Sequence, residues 1–276
     1  MLACAAMSPF QAIVLGAIQG LTEFLPISSS AHLYVVPTLL GWPYAGVAFD
    51  VALHVGTLIA LLVAYWRDWM ELVLGIFARD TVRRAAAWDL LLKLAAGSVP
   101  AAIAGLLLKD AADTWLRSLP LQAAMLFIFG FLLWAVDRFR PPGRDAATPG
   151  WGTCLAMGAA QAVALVPGVS RSGITMTAGR AAGLSRVTSA RFSFLLATPI
   201  TFGAALLELR HLPPGVPVGT LALGVIAAAV VGLLAIRGLI AWLARAGFGA
   251  FFIYRAAFAA LILWTLVTGG PGGRVS

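Results

Sequence analysis

The stretch "QGLTEFLPISSSAH", residues 19–32, places a carboxylate, three consecutive hydroxyls and an imidazole within one short segment. Glu23 supplies the acid and Ser28, Ser29 and Ser30 the hydroxyls, while His32 follows Ser29 by three positions, where helical geometry lets the two side chains meet. A hydroxyl nucleophile beside a base, with an acid that orients the base or binds a metal, suits covalent group transfer. Plainer uses exist for the same residues. One serine serves as N-cap to the helix that starts near Ala31, and Glu23 also reads as a carboxylate satisfied by backbone where the chain breaks. A second stretch, "QAVALVPGVSRSGIT" from Gln161 to Thr175, carries different chemistry. Pro167 and Gly168 end one helix, and Ser170, Arg171 and Ser172 begin another, so backbone N–H groups, hydroxyls and a guanidinium converge on one point. That combination makes an anion site. The fork of Arg171 binds two phosphate oxygens at once; its alternative is a structural ion pair with Glu23.

These polar clusters sit in a chain of 276 residues that is 61% hydrophobic and only 11% charged, with a mean hydropathy of +0.94. Soluble domains carry roughly 25% charged residues, so an integral membrane protein is expected. The formal charge of +8 does not indicate nucleic acid, because the arginines punctuate the ends of apolar runs instead of clustering with aromatics. Cys4 and Cys154 are too few for a disulfide framework or metal knuckle. The first residues lack a basic segment, so a cleaved signal peptide is not expected, and Met7 competes with Met1 as the start.

Apolar runs near the length of a bilayer crossing occur at 46–66, 90–108, 119–136, 190–208, 217–236 and 250–268. Two further apolar segments, 8–40 and 151–184, are interrupted by "LPISSS" and "VPGVSRS". Their halves are too short to span, which predicts re-entrant pairs and a polar cavity where they meet. The interruptions align without a gap at an offset of 142, from Gln19 to Gln161: Ile27 falls on Val169, Ser28 on Ser170, Ser29 on Arg171, and Ser30 on Ser172. Each is followed by three spans. Repeat one is 8–136, the connector 137–150 and repeat two 151–268, within a single membrane domain over 1–276. An odd number of crossings turns the second repeat upside down. The expected fold is therefore an all-α polytopic membrane protein, with six transmembrane helices and two re-entrant helix pairs in an inverted-topology repeat. Arginine placement puts the loop 67–89, the connector and Arg180–Arg191 in the cytoplasm, leaving Lys109, Arg117, Arg210 and Arg274 on the other side.

"QGLTEFLPISSSAH" together with "PGVSRSGIT" closely resembles the signatures of the undecaprenyl-diphosphate phosphatase family, also called the bacitracin-resistance family, and the resemblance runs along nearly the whole chain. Gln19 and Glu23 match the first signature; Pro167, Gly168, Ser170, Arg171, Ser172 and Thr175 match the second. The resemblance implies hydrolysis of a C55 polyprenyl diphosphate to the monophosphate, which recycles the carrier lipid of cell-wall synthesis. It further implies a bacterial inner-membrane location, a site facing the periplasmic or outer side, and a divalent cation, Mg²⁺ or Ca²⁺. Gln19 departs from the commoner Glu and leaves one fewer carboxylate for metal, and Ser30-Ala31 replaces a common Thr-Gly.

Joined to the residue chemistry, this assigns Ser29 to attack on the terminal phosphorus, with His32 as base or as the rival nucleophile. Glu23, with Gln19 beside it, positions the metal or orients His32. Arg171, Ser28, Ser30, Gly168, Ser170, Ser172 and Thr175 hold the diphosphate. Asp50 is a second candidate cation ligand, and Arg255 either touches phosphate or snorkels to an interface. The competing class is a transporter or flippase for an anionic lipid or small anion, against which the Ser29–His32 pair argues. A homo-oligomer is compatible with the sequence.

Overall fold

A computed structural model describes residues 7–42, 44, 46–108, 115–208 and 217–268. Met1, Cys4, Lys109, Arg210 and Arg274 lie outside the described residues. Among those described the regular structure is helical: α1 (Pro9–Phe24), α2 (Ser29–Leu39), α3 (Val47–Ala64), α4 (Trp66–Ile76), α5 (Thr81–Leu107), α6 (Leu119–Phe139), α7 (Trp151–Val163), α8 (Arg171–Ala181), α9 (Arg186–Glu208), α10 (Val218–Leu243) and α11 (Gly249–Val267), with a short 3₁₀ turn at Trp115–Arg117. Five of them, α5, α6, α9, α10 and α11, are long and apolar enough to cross a membrane. A sixth crossing is available if α3 and α4, bent by 71° at their junction, count as one span. The chain is an all-α polytopic membrane protein.

The segment 67–89, expected as a loop, is mostly helix. Trp66–Ile76 buries Leu72 and Gly75 while Arg67 stays exposed. Asp80 then caps α5, its carboxylate accepting from the backbone of Val82 and Arg83 at 2.8 and 2.9 Å, which starts that helix at Thr81 and not near residue 90.

Helices α1 and α2 are the halves of one interrupted segment, α7 and α8 the halves of the other. Ser8 and Gln11 form a reciprocal capping box at the start of α1, with Pro9 at the first helical position. Both interruptions end on a serine in an unusual backbone conformation: Ser28 has φ 74° and ψ 95°, Ser170 φ 74° and ψ 113°. They are the only non-glycine residues with positive φ among those described. A conformation of this kind costs about 1–3 kcal/mol and persists where its surroundings over-determine it. Its appearance at two positions 142 apart makes the sequence alignment a geometric match.

Packing exchanges elements between the two halves of the chain. Helix α1 lies against α10, and its counterpart α7 lies against α5; α3 also packs on α10, as α9 does on α5. Matching close approaches fall at Gly16 and Gly158, again 142 apart. A Cβ on Gly16 would stand 2.1 Å from the Gly224 carbonyl oxygen, and one on Gly158 would stand 2.4 Å from that of Gly97. Small residues at these crossings let backbones touch, which drives helix association in lipid, where apolar surface alone gives no preference. Helix α9 is central, with 56% of its apolar window buried against 22% for α5 and α11. Leu106, Val218 and Ile253 point outward on the peripheral helices, as a lipid-facing surface requires.

Gly16→Leu should lower stability by about 1–3 kcal/mol or more, because the neighbouring atoms are backbone and cannot turn aside. Gly238→Ala, where nothing lies within 4 Å of the added carbon, should leave stability unchanged or slightly raised. Thermal unfolding of both variants in one detergent checks the pair.

Candidate active site

The two interruptions meet at a cavity of about 320 Å³, lined by Glu23, Ser28, Ser29 and Ser30 from the first and by Gln161, Ser170 and Arg171 from the second. His54 of α3 and Thr201 of α9 complete its polar wall. Glu23, in the last turn of α1, is the hub. Its Oε2 accepts from Ser29 Oγ at 2.5 Å and from Gln19 Nε2 at 3.2 Å, and faces His54 Nε2 at 3.4 Å. Its Oε1 accepts from Arg171 Nη2 in an ion pair across the interruptions. A carboxylate this deeply buried needs such company.

Each partner is itself held. Arg171 Nη1 donates to Thr201 Oγ1 at 2.7 Å and to the Ala197 carbonyl at 3.3 Å, fixing the fork against α9. His54 Nδ1 donates to the Asp50 carbonyl at 2.8 Å, which turns Nε2 toward Glu23. Ser28 Oγ accepts from the Gly168 N–H at 3.2 Å, so one interruption's side chain satisfies the other's backbone. Ser170 caps α8, its Oγ accepting from Gly173 N at 3.2 Å. Ser29, the first residue of α2, and Arg171, the first of α8, both open helices, so two helix N-termini converge on the cavity.

The model of the family described as Bacitracin resistance protein BacA matches residues 12–261. This chain belongs to that family. Among similar proteins, the undecaprenyl-diphosphatase of Moorella thermoacetica is 47% identical over 257 residues, covering 93% of this chain and 97% of the relative. The proteins of the same name from Desulforudis audaxviator and Alcanivorax borkumensis are each 46% identical, over 250 and 264 residues; they cover 90% and 94% of this chain, and 94% and 99% of their own lengths. Every cavity-lining residue named above falls inside the family match.

Several sequence candidates from this bacitracin-resistance family member stand away from the cavity. His32 turns from Ser29: Nδ1 donates to the Ser28 carbonyl at 2.7 Å, Nε2 pairs with the Tyr254 hydroxyl at 2.7 Å, and the ring stacks on Phe258. Thr175 is fully buried, hydrogen-bonded to the Arg171 carbonyl and to Ser193 Oγ at 2.6 Å. Ser172 donates to the Leu25 carbonyl at 3.2 Å, and Gly168 is used through its backbone. Asp50 accepts from the Tyr44 hydroxyl at 2.6 Å and does not line the cavity. Burial, then the Asp50 charge, raises that hydroxyl well above the ordinary tyrosine range, so Tyr44 remains a donor. Arg117 in turn donates to Tyr44.

Three site residues, Thr201, His54 and Gln161, escaped sequence reasoning, and Thr201 carried no signal. His54 carried a usable signal, being an ionisable side chain inside a spanning run. Gln161 stands out in the sequence only as the counterpart of Gln19; it is 3% exposed, lines the cavity, and neither amide atom has a partner. Arg255 corrects both of its expected roles, for it neither lines the cavity nor snorkels. It is fully buried in α11 and donates to five backbone carbonyls, those of Pro26, Met125, Leu126, Gly168 and Val169.

Arg255→Met should therefore collapse both interruptions, since each orphaned buried carbonyl costs about 1–3 kcal/mol. Loss of monodisperse protein on size exclusion checks it. Arg255→Lys should give folded protein with a lowered melting temperature.

Proposed function

We propose that this protein hydrolyses undecaprenyl diphosphate to undecaprenyl phosphate and inorganic phosphate. The observation that carries the reading is the Ser29 hydroxyl, held at 2.5 Å by a buried carboxylate in the same cavity as a guanidinium. Family membership and the activity named for three relatives of nearly full coverage support it. Transport of an anion would need Arg171 and the helix ends but has no use for a hydroxyl hydrogen-bonded to a base.

In this mechanism Arg171, the α8 amides and Gln161 receive the diphosphate oxygens, with the prenyl tail leaving the cavity along the apolar walls of α5 and α9. Glu23 accepts the Ser29 proton as Oγ bonds to the terminal phosphorus, and the bond to the bridging oxygen breaks. The departing undecaprenyl phosphate takes that proton, which restores the carboxylate. Glu23 then deprotonates a water that cleaves the phosphoserine, releasing inorganic phosphate and returning the hydrogen to Ser29. His54 holds Glu23 Oε2 in line with Ser29 throughout. Positioning and charge do most of the work in phosphoryl transfer.

The residues fit a divalent cation. Gln19 Oε1 is buried without a partner beside the Glu23 carboxylate, and both are hard oxygen donors suited to Mg²⁺ or Ca²⁺. Among the described residues no group of three His, Cys, Asp or Glu could hold a metal, so substrate phosphate would complete the shell supplied by Glu23 and Gln19. When bound, the ion supplies positive charge to the phosphate oxygens.

The membrane arrangement belongs to the same proposal: α3 with α4 forms the sixth span, the interrupted pairs are re-entrant from opposite faces in an inverted repeat, and the cavity opens outward in the bacterial inner membrane. The matching serine conformations and the exchanged packing support it.

Ser29→Ala should cut phosphate release from the polyprenyl diphosphate by about 10³-fold or more in detergent-purified protein, with binding of the lipid retained. A radiolabelled terminal phosphate, quenched during turnover, should be trapped as acid-stable phosphoserine; acid-labile label on His32 would overturn the assignment. In a background lacking native cysteines, Gly46→Cys should label from outside intact cells and Ala146→Cys should not; the reverse pattern refutes the orientation.

A further inference from the structure

Helices α8 and α9 connect the Ser29 cavity to a second one. Arg171 begins α8 at the first cavity, and Arg180, nine residues on and so about 14 Å along the helix axis, lines a second cavity of about 970 Å³. Its floor is Asp137 of α6, 6% exposed, which accepts from Arg180 Nε at 2.9 Å, Arg186 Nε at 2.8 Å and the Phe248 N–H at 3.3 Å. A Cβ on Gly247 would stand 2.7 Å from Asp137 Oδ2 and 3.0 Å from Arg186 Nη2, so the absence of a side chain leaves the approach open.

One carboxylate faces two guanidiniums there. Arg138 and Arg140 line the same cavity, and neither side chain makes a hydrogen bond or ion pair among the described residues. Counting Arg138, Arg140, Arg180 and Arg186 against Asp137 and Asp145 leaves an excess of two positive charges. Asp145 is engaged by Ser185 and Thr188, and Arg180 by the Leu184 and Pro141 carbonyls. Arg186 uses only Nε on Asp137, which leaves its outer N–H groups, with those of Arg138 and Arg140, to receive an anion. Trp134 and Leu243 supply an apolar wall beside them.

Topology alone would account for arginines at this end of the bundle. It does not account for a cavity whose floor holds Arg186 aimed by a buried carboxylate. We propose that this second cavity binds a phosphate group, presented by an anionic glycerophospholipid or as the free ion. Three guanidiniums match phosphate oxygens by paired N–H bonds, and basic pockets between spanning helices are suited to lipid headgroups. The site is separate from Ser29 and does not depend on the reaction proposed there.

The test is native mass spectrometry of the full chain released from detergent, titrated with dioleoyl phosphatidylglycerol, with dioleoyl phosphatidylcholine, and with inorganic phosphate. Wild type should bind one phosphatidylglycerol at least about tenfold more tightly than phosphatidylcholine. Arg138→Gln with Arg140→Gln should remove that preference, while Arg83→Gln with Arg84→Gln, equal in charge change and exposed at the start of α5, should keep it. An unchanged melting temperature shows each variant folded. Inorganic phosphate that binds alone and displaces the lipid, with the same sensitivity to Arg138 and Arg140, identifies the free ion as a source; lipid binding without phosphate binding identifies the headgroup. Equal loss in both double variants, or no preference for either phosphate probe, overturns the proposal.

Discussion

Five backbone carbonyls converge on the guanidinium of Arg255, and the two interrupted segments depend on that convergence. A helix broken inside a bilayer exposes carbonyls that lipid cannot satisfy. Pro26 contributes one from the first interruption, Gly168 and Val169 two from the second, so a single side chain of α11 settles both breaks at once. The remaining two acceptors, on Met125 and Leu126, attach the cluster to α6. Arginine suits the task because its planar fork presents several donors in fixed directions and carries no acceptor of its own.

With the breaks so fixed, the polar side chains near them have little freedom. Ser28 turns into a rare backbone conformation, which directs Ser29 back toward Glu23 while Ser28 Oγ reaches the Gly168 amide. The Glu23 carboxylate then has an oxygen for each side: Oε1 toward the second interruption through Arg171, Oε2 toward its own through Ser29 and Gln19. The charge belongs to both segments, and neither alone would form the cavity.

Much of this was legible in the sequence, for physical reasons that differ by residue. Pro, Gly and Ser inside apolar runs mark breaks because they stop helices, and the offset of Gln19 and Gln161 is visible because equal breaks need equal residues. Arg171 was legible because a cation opening a helix at membrane depth has few uses. His32 was misleading: spacing placed it near Ser29, but in the fold its ring finds Tyr254, 222 positions away, and stacks on Phe258. His54 reaches Glu23 from another helix, a contact that local spacing cannot encode. Arg255 read as either a phosphate contact or a snorkelling side chain because sequence does not display which carbonyls a break will orphan.

The exchange of helices between halves bears on how the chain is made. Helix α1 carries Gly16 on a face that fits the backbone of α10, some two hundred residues later, and Glu23 meets its countercharge only when Arg171 has been synthesised. During translation the first half enters the membrane with that face unmated and that carboxylate without its arginine. Helices inserted early are thus provisional in place until α10 and α11, made later, convert a loose set of insertions into a single tertiary unit.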